Sequence, residues 1–129
     1  MKRLLFLCLI FIITIPIVSC APKRETDSAA PGLPYPDARG AQWIQAQVDS
    51  SRFTWFLDPK ATTSAFCNEY SIFEKNVSTA DITIKTEGIF RATAEVVVGD
   101  KKMEVTLERP FKERDKNSIW QVVNYKKVK

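Results

Sequence analysis

TADITIKTEGIFRATAEVVVGDKKMEVTL, residues 79–107 of a 129-residue chain, is the stretch on which the fold turns. Its apolar residues recur at every second position. Ile82 and Ile84 alternate with Thr83 and Lys85 up to Gly88. Ala92, Ala94, Val96 and Val98 alternate with Thr93, Glu95 and Val97, and Met103, Val105 and Leu107 alternate with Glu104, Thr106 and Glu108. Successive side chains of a strand point to opposite faces, so a period of two puts each apolar set on one face. Gly99-Asp100-Lys101 reads as a tight turn between two of these strands. Further on, Pro110 ends ladder pairing or marks an edge, Arg114–Ser118 reads as a second turn, and Ile119–Tyr125 reads as the final strand. Four strands joined by short turns predict an antiparallel meander. Its apolar face holds Ile82, Ile84, Ala94, Val96, Val105, Leu107, Trp120 and Val122.

Such a sheet needs a cover, and the preceding sequence supplies one. Asp58 is placed to cap a helix whose first residue is Pro59, where the missing N–H loses no bond. Over residues 59–71 that helix brings Ala61, Ala65, Phe66, Tyr70 and, just beyond, Phe73 to one side, which faces the core. Residues 41–50 leave two readings open. Ala41, Ile44 and Val48 form a helical stripe, while Ile44, Ala46 and Val48 also alternate; the Gln-rich composition favours a short helix. Arg52–Leu57 reads as a short strand or a buried turn. The expected fold class is therefore α+β, with one main helix packed on a four-stranded antiparallel meander over residues 40–129.

Residues 21–39 (APKRETDSAAPGLPYPDAR) read as a tether, since four prolines and Gly32 oppose both helix and sheet. Extended, these nineteen residues reach about 60 Å at most. Tyr35, in Leu33-Pro34-Tyr35-Pro36, reads as spacer in preference to a docking segment for a partner's aromatic groove.

The first twenty residues have another grammar. Lys2 and Arg3 precede a run from Leu4 to Val18 that is apolar except for Thr14 and Pro16, and Ile17-Val18-Ser19-Cys20 follows. About 20 residues are needed to span a bilayer core, so fifteen are too few. The charged start, apolar middle and small-residue exit read as a signal peptide over residues 1–19. Ile17–Cys20 resembles the lipobox of bacterial lipoproteins. That resemblance implies cleavage before Cys20, a diacylglycerol on its sulfur and an acyl chain such as palmitate on its amino group. The lipidated tether then spans residues 20–39. With Ala21 after Cys20, it implies an outer-membrane anchor facing the periplasm in a Gram-negative cell, and the outer face of the plasma membrane in a Gram-positive one. The Gly99 turn, Met103–Leu107 and Ile119–Val123 resemble small exported domains of the cystatin-like and NTF2-like kind. The likeness spans about residues 59–126 and implies a curved sheet wrapped on a helix. It carries over no functional residue.

Composition narrows the function. Without residues 1–19 the chain has 17 basic and 15 acidic residues, which removes most support for nucleic acid as a partner. Residues 109–129 carry seven bases, Arg109 among them, against two acids. A solubilising strand and loop is preferred there to a membrane-facing edge. Cys8 leaves with the signal and Cys20 takes lipid, so Cys67 stands alone and no internal disulfide is available. The chain has no His. A Cys nucleophile lacks its usual base, zinc lacks its usual ligands, and four glycines offer no phosphate loop. Glu87, Glu95, Glu104 and Glu108 fall on polar strand phases, where a solvated face explains them. No cofactor, metal or catalytic residue is expected.

Four aromatics remain. Trp43, Phe53, Trp55 and Phe56 cluster before the helix, and closing one end of the core is preferred to a binding patch. Trp43, Trp55 and Phe56 are the candidate patch residues, and exposure decides between the two. The functional expectation is a lipid-anchored, non-catalytic adaptor that contacts another envelope protein. The alternative is a small-molecule or peptidoglycan-fragment binder with a pocket between helix and sheet.

Overall fold

A computed structural model describes residues 33–129. The expected signal peptide, Cys20 and residues 21–32 of the expected tether lie outside the described residues. The strands β1 (Ile82–Glu87), β2 (Arg91–Val98), β3 (Lys101–Glu108) and β4 (Gln121–Val128) form one antiparallel sheet in chain order. Two helices precede it, α1 (Ala38–Asp49) and α2 (Pro59–Glu69). The arrangement is the α+β meander expected, with α2 across the apolar face and α1 as a second helix.

The period of two holds where pairing is regular. Ala94, Val96, Val105, Leu107, Trp120 and Val122 are fully buried and Ile82 nearly so. Ile84 is only half-buried. β1 slips by one residue against β2 between Ile84 and Thr86, and this bulge ends the alternation early. A second slip lies in β4, where Leu107 pairs with Val122 although Thr106 pairs with Asn124. Trp120 sits just before β4 and donates its backbone N–H to the Phe56 carbonyl at 2.8 Å. The polar face carries cross-strand ion pairs, Lys85 and Lys102 on Glu95 (3.3 and 3.7 Å) and Lys126 on Glu104 (3.3 Å). Solvated glutamates therefore occupy that face.

Asp58 caps α2 as expected. Its Oδ1 accepts from Lys60 N at 2.9 Å, and Pro59 is the first helical residue. The buried side of α2 departs from the expected one. It is Pro59, Thr62, Thr63, Phe66 and Cys67, with Ala61 and Ala65 half-buried and Tyr70 exposed. The threonine hydroxyls are satisfied locally, Thr63 Oγ1 on the Pro59 carbonyl (2.7 Å) and Thr62 Oγ1 on that of Asp58 (3.0 Å). This back-bonding lets two polar residues face the core without unpaired groups, so their burial costs little. α2 stops at Glu69 rather than at residue 71.

Residues 41–50 are helical. Asp37 caps α1 through Oδ1, which accepts from Gly40 N at 2.7 Å. α1 rests on a smaller core of Ala41, Val48, Phe56 and Ile119. Gln45 pins it there: Nε2 donates to the Asn117 carbonyl (2.8 Å), and Oε1 accepts from Ile119 N (2.9 Å).

The domain begins before residue 40. Tyr35 and Val122 exchange both backbone bonds, at 2.9 and 2.7 Å, as a one-residue antiparallel bridge on the edge of β4. The Tyr35 ring lies 5.7 Å from Phe66 and 6.4 Å from Phe56, so it joins the two cores. Gln121 Nε2 donates to the Pro36 carbonyl at 2.7 Å. Leu33–Asp37, by composition part of the tether, is a strap docked on the sheet. Tyr35 is spent on this chain's own core rather than on spacing.

Candidate functional site

The four aromatics divide between core and surface. Phe56 is 4 % exposed, in the 3₁₀ turn Thr54–Leu57, and closes the smaller core. Trp55 stacks on it at 3.8 Å between centroids and stays 39 % exposed. Trp43, on the outer side of α1, is 56 % exposed and lies 5.7 Å from Phe53, itself 44 % exposed. The end-of-core reading therefore holds for Phe56 alone. Trp43 and Trp55, two of the three candidate patch residues, face solvent with Phe53.

The local backbone explains this presentation. α1 ends with Ser51 N–H on the Val48 carbonyl (2.9 Å) and Arg52 N–H on that of Gln47 (2.8 Å), Ser51 being left-handed at φ 63°. The pair of bonds satisfies the last helical carbonyls and turns the chain sharply. Phe53 follows, also left-handed at φ 49°, and comes back beside Trp43.

An open groove of about 880 Å³ is lined by Val48, Asp49, Leu57, Ile89, Arg114 and Asn117, among others, and by none of the three exposed aromatics. Its wall is the 3₁₀ segment Lys112–Asn117. Arg114 closes on Asp49 at 2.6 Å. Beneath the wall lies Arg109, which the charge reading placed in a solubilising run but which is buried. Its Nη1 donates to the carbonyls of Lys116 and Ser118 at 2.6 Å each, and its guanidinium sits 4.2 Å from the Trp120 ring centroid. Burial pulls its pKa down, and Glu87 partly restores it. No sequence signal marked this arginine, because only the fold carries it under the loop it holds.

The space between α2 and the sheet is filled by Phe66, Cys67, Ala94, Val96, Met103 and Val105, each 1 % exposed or less. Burial pushes the Cys67 thiol up to about 12, far from the thiolate that nucleophilic chemistry requires. Among the described residues no three His, Cys, Asp or Glu side chains gather as a metal site, and no helix is long and apolar enough to cross a membrane. Cys20 lies outside the described residues. Comparison of the chain with protein-family models, with curated proteins and with solved structures finds no match.

Proposed function

We propose that the chain is a lipid-anchored protein of the bacterial envelope whose domain has a non-catalytic binding or assembly role. On this reading Cys20 carries the lipid, and the domain contacts another envelope protein. The observation that carries the binding role is the solvent exposure of Trp43, Phe53 and Trp55. Large aromatics dominate the energetics of protein interfaces, and here three lie exposed within residues 43–55. The filled interior between α2 and the sheet favours this reading over a small-ligand pocket.

Two measurements test it. Metabolic labelling with a fatty-acid analogue is expected to mark the wild-type chain and not Cys20→Ser; equal labelling of both defeats the anchor. Crosslinking from native membranes is expected to capture a protein partner that Trp43→Ser/Trp55→Ser fails to capture. Undiminished capture by that variant removes the aromatic face from the reading. No captured protein, together with a saturable small ligand that raises thermal stability, replaces the adaptor by a ligand binder.

A further inference from the structure

The fold brings lysines from separate parts of the sequence to one corner of the sheet. β3 opens with Lys101 and Lys102, and β4 closes with Lys126, Lys127 and Val128, followed by Lys129. Antiparallel register sets Lys102 opposite Val128 and Met103 opposite Lys127. Ile72, Phe73, Met103 and Val128 floor a hollow of about 250 Å³ there, rimmed by Lys101 and Lys127. Lys75 joins Lys101 at the adjoining hollow. The acids at these hollows are Asp100 and Glu74. Glu74 meets Lys101 at 3.8 Å, but with the two side chains 92 % and 61 % exposed, water and salt leave that lysine free to turn elsewhere. Lys75, Lys127 and Lys129 make no ion pair among the described residues.

The path of the N-terminal strap is the second observation. Tyr35 pairs antiparallel with Val122, so the backbone from Tyr35 back to Leu33 runs toward the C-terminal end of β4. Leu33 accordingly packs on the main core, which includes Phe73, and not on the smaller one. At Leu33, the first described residue, the backbone is thus directed toward the end of the sheet that carries the lysine corner. The thirteen residues 20–32 span at most about 45 Å. The groove wall, between β3 and β4, and Ile89, between β1 and β2, lie at the other end of strands roughly 27 Å long.

We propose that the lysine corner rests on an anionic phospholipid leaflet and fixes the orientation of the domain. The groove, at the far end of the strands, then points away from the membrane, toward a partner. This rests on the lipid-anchor reading, since the leaflet is the one that Cys20 enters. Each well-placed lysine at such a surface is expected to raise affinity about fivefold, less at high salt.

The test uses the chain from residue 20 onward with Cys20→Ser, sedimented with vesicles of phosphatidylcholine alone or mixed with phosphatidylglycerol. Binding is expected only with phosphatidylglycerol and is expected to fall as salt rises. Lys127→Gln/Lys129→Gln is expected to weaken it on the order of 25-fold. Lys112→Gln/Lys116→Gln, with the same change in net charge at the far end, is expected to leave it nearly unchanged. Matching thermal unfolding of both variants shows that the folded domain is being compared. Indifference to phosphatidylglycerol, or equal losses in the two variants, overturns the proposal. Fatty-acid labelling at Cys20 is read separately: lost vesicle binding with intact labelling overturns the corner alone, whereas absent labelling overturns the anchor whatever the vesicles bind.

Discussion

Ser51 and Ser71 each stand just past the end of a helix, in left-handed backbone at φ 63° and 48°. The pattern after α2 repeats that after α1: Ile72 N–H bonds the Cys67 carbonyl (3.0 Å) and Ser71 N–H that of Asn68 (3.3 Å). Glycine is the residue that adopts this conformation without a Cβ penalty. Ser51→Gly and Ser71→Gly are each expected to raise stability by about 0.5–1 kcal/mol in chemical denaturation. The same serines explain why the ends of both helices were hard to read, since the usual stop signal is absent from the sequence. Cys67 gives a second expectation. Its folded thiol titrates at about 12, against an ordinary value of 9.0. Above pH 9 the unfolded thiol loses its proton while the folded one keeps it. Stability present below that pH is then lost, by up to about 1.4 kcal/mol per unit, until pH passes 12. Alkaline denaturation of Cys67→Ala is expected to show a shallower slope from pH 9 to 12 than the parent, and the parent thiol is expected to resist thiol reagents until the chain unfolds.

Helix α2 owes its place to one ring above all. Phe66 is fully buried, with Tyr35, Tyr70 and Tyr125 at 5.7, 5.5 and 5.5 Å. Phe66→Ala is expected to cost about 3–5 kcal/mol in equilibrium unfolding, and a loss below about 1 kcal/mol would show that the site is not packed as described. Helix α1 depends more on a polar pin. Gln45→Leu removes the partners of the Ile119 N–H and the Asn117 carbonyl, and is expected to cost about 2–4 kcal/mol. Strands were legible because burial on one face imposes a period of two sustained over successive strands, whereas the short alternation of Ile44, Ala46 and Val48 belongs to helix α1. Asp58-Pro59 was legible because its cap is local. Gln45 and Tyr35 were not, since each acts through groups far away in the chain, and Arg109 was not, since its carbonyls at Lys116 and Ser118 meet it only once the intervening loop folds over it. The threonines of α2 misled for a related reason: their polarity is cancelled within one turn, so a polar label hid a core position. Of the candidate patch, the sequence marked the aromatic cluster but not its division. Whether a ring points in or out there depends on two left-handed residues.

At the scale of the molecule, two cores share one bridging side chain, Tyr35, so the strap couples α1 to the sheet. Tyr35→Ala is expected to cost about 2–3 kcal/mol and to loosen α1 before the sheet, measurable as earlier amide exchange in Ala38–Asp49 than in β2 and β3. The strap has a further consequence, for the fate of neighbouring copies of the chain. An open sheet has two rims, each a row of unpaired amides on which another strand can grow. At one rim, β1 slips beside Lys85 and breaks the even spacing an incoming strand would need. At the other, Tyr35 spends its amide inward on Val122, and the residues on either side, Pro34 and Pro36, have no amide hydrogen to offer outward. Wherever such domains meet rim to rim at high local density, that part of the rim gives aggregation no donor from which to start.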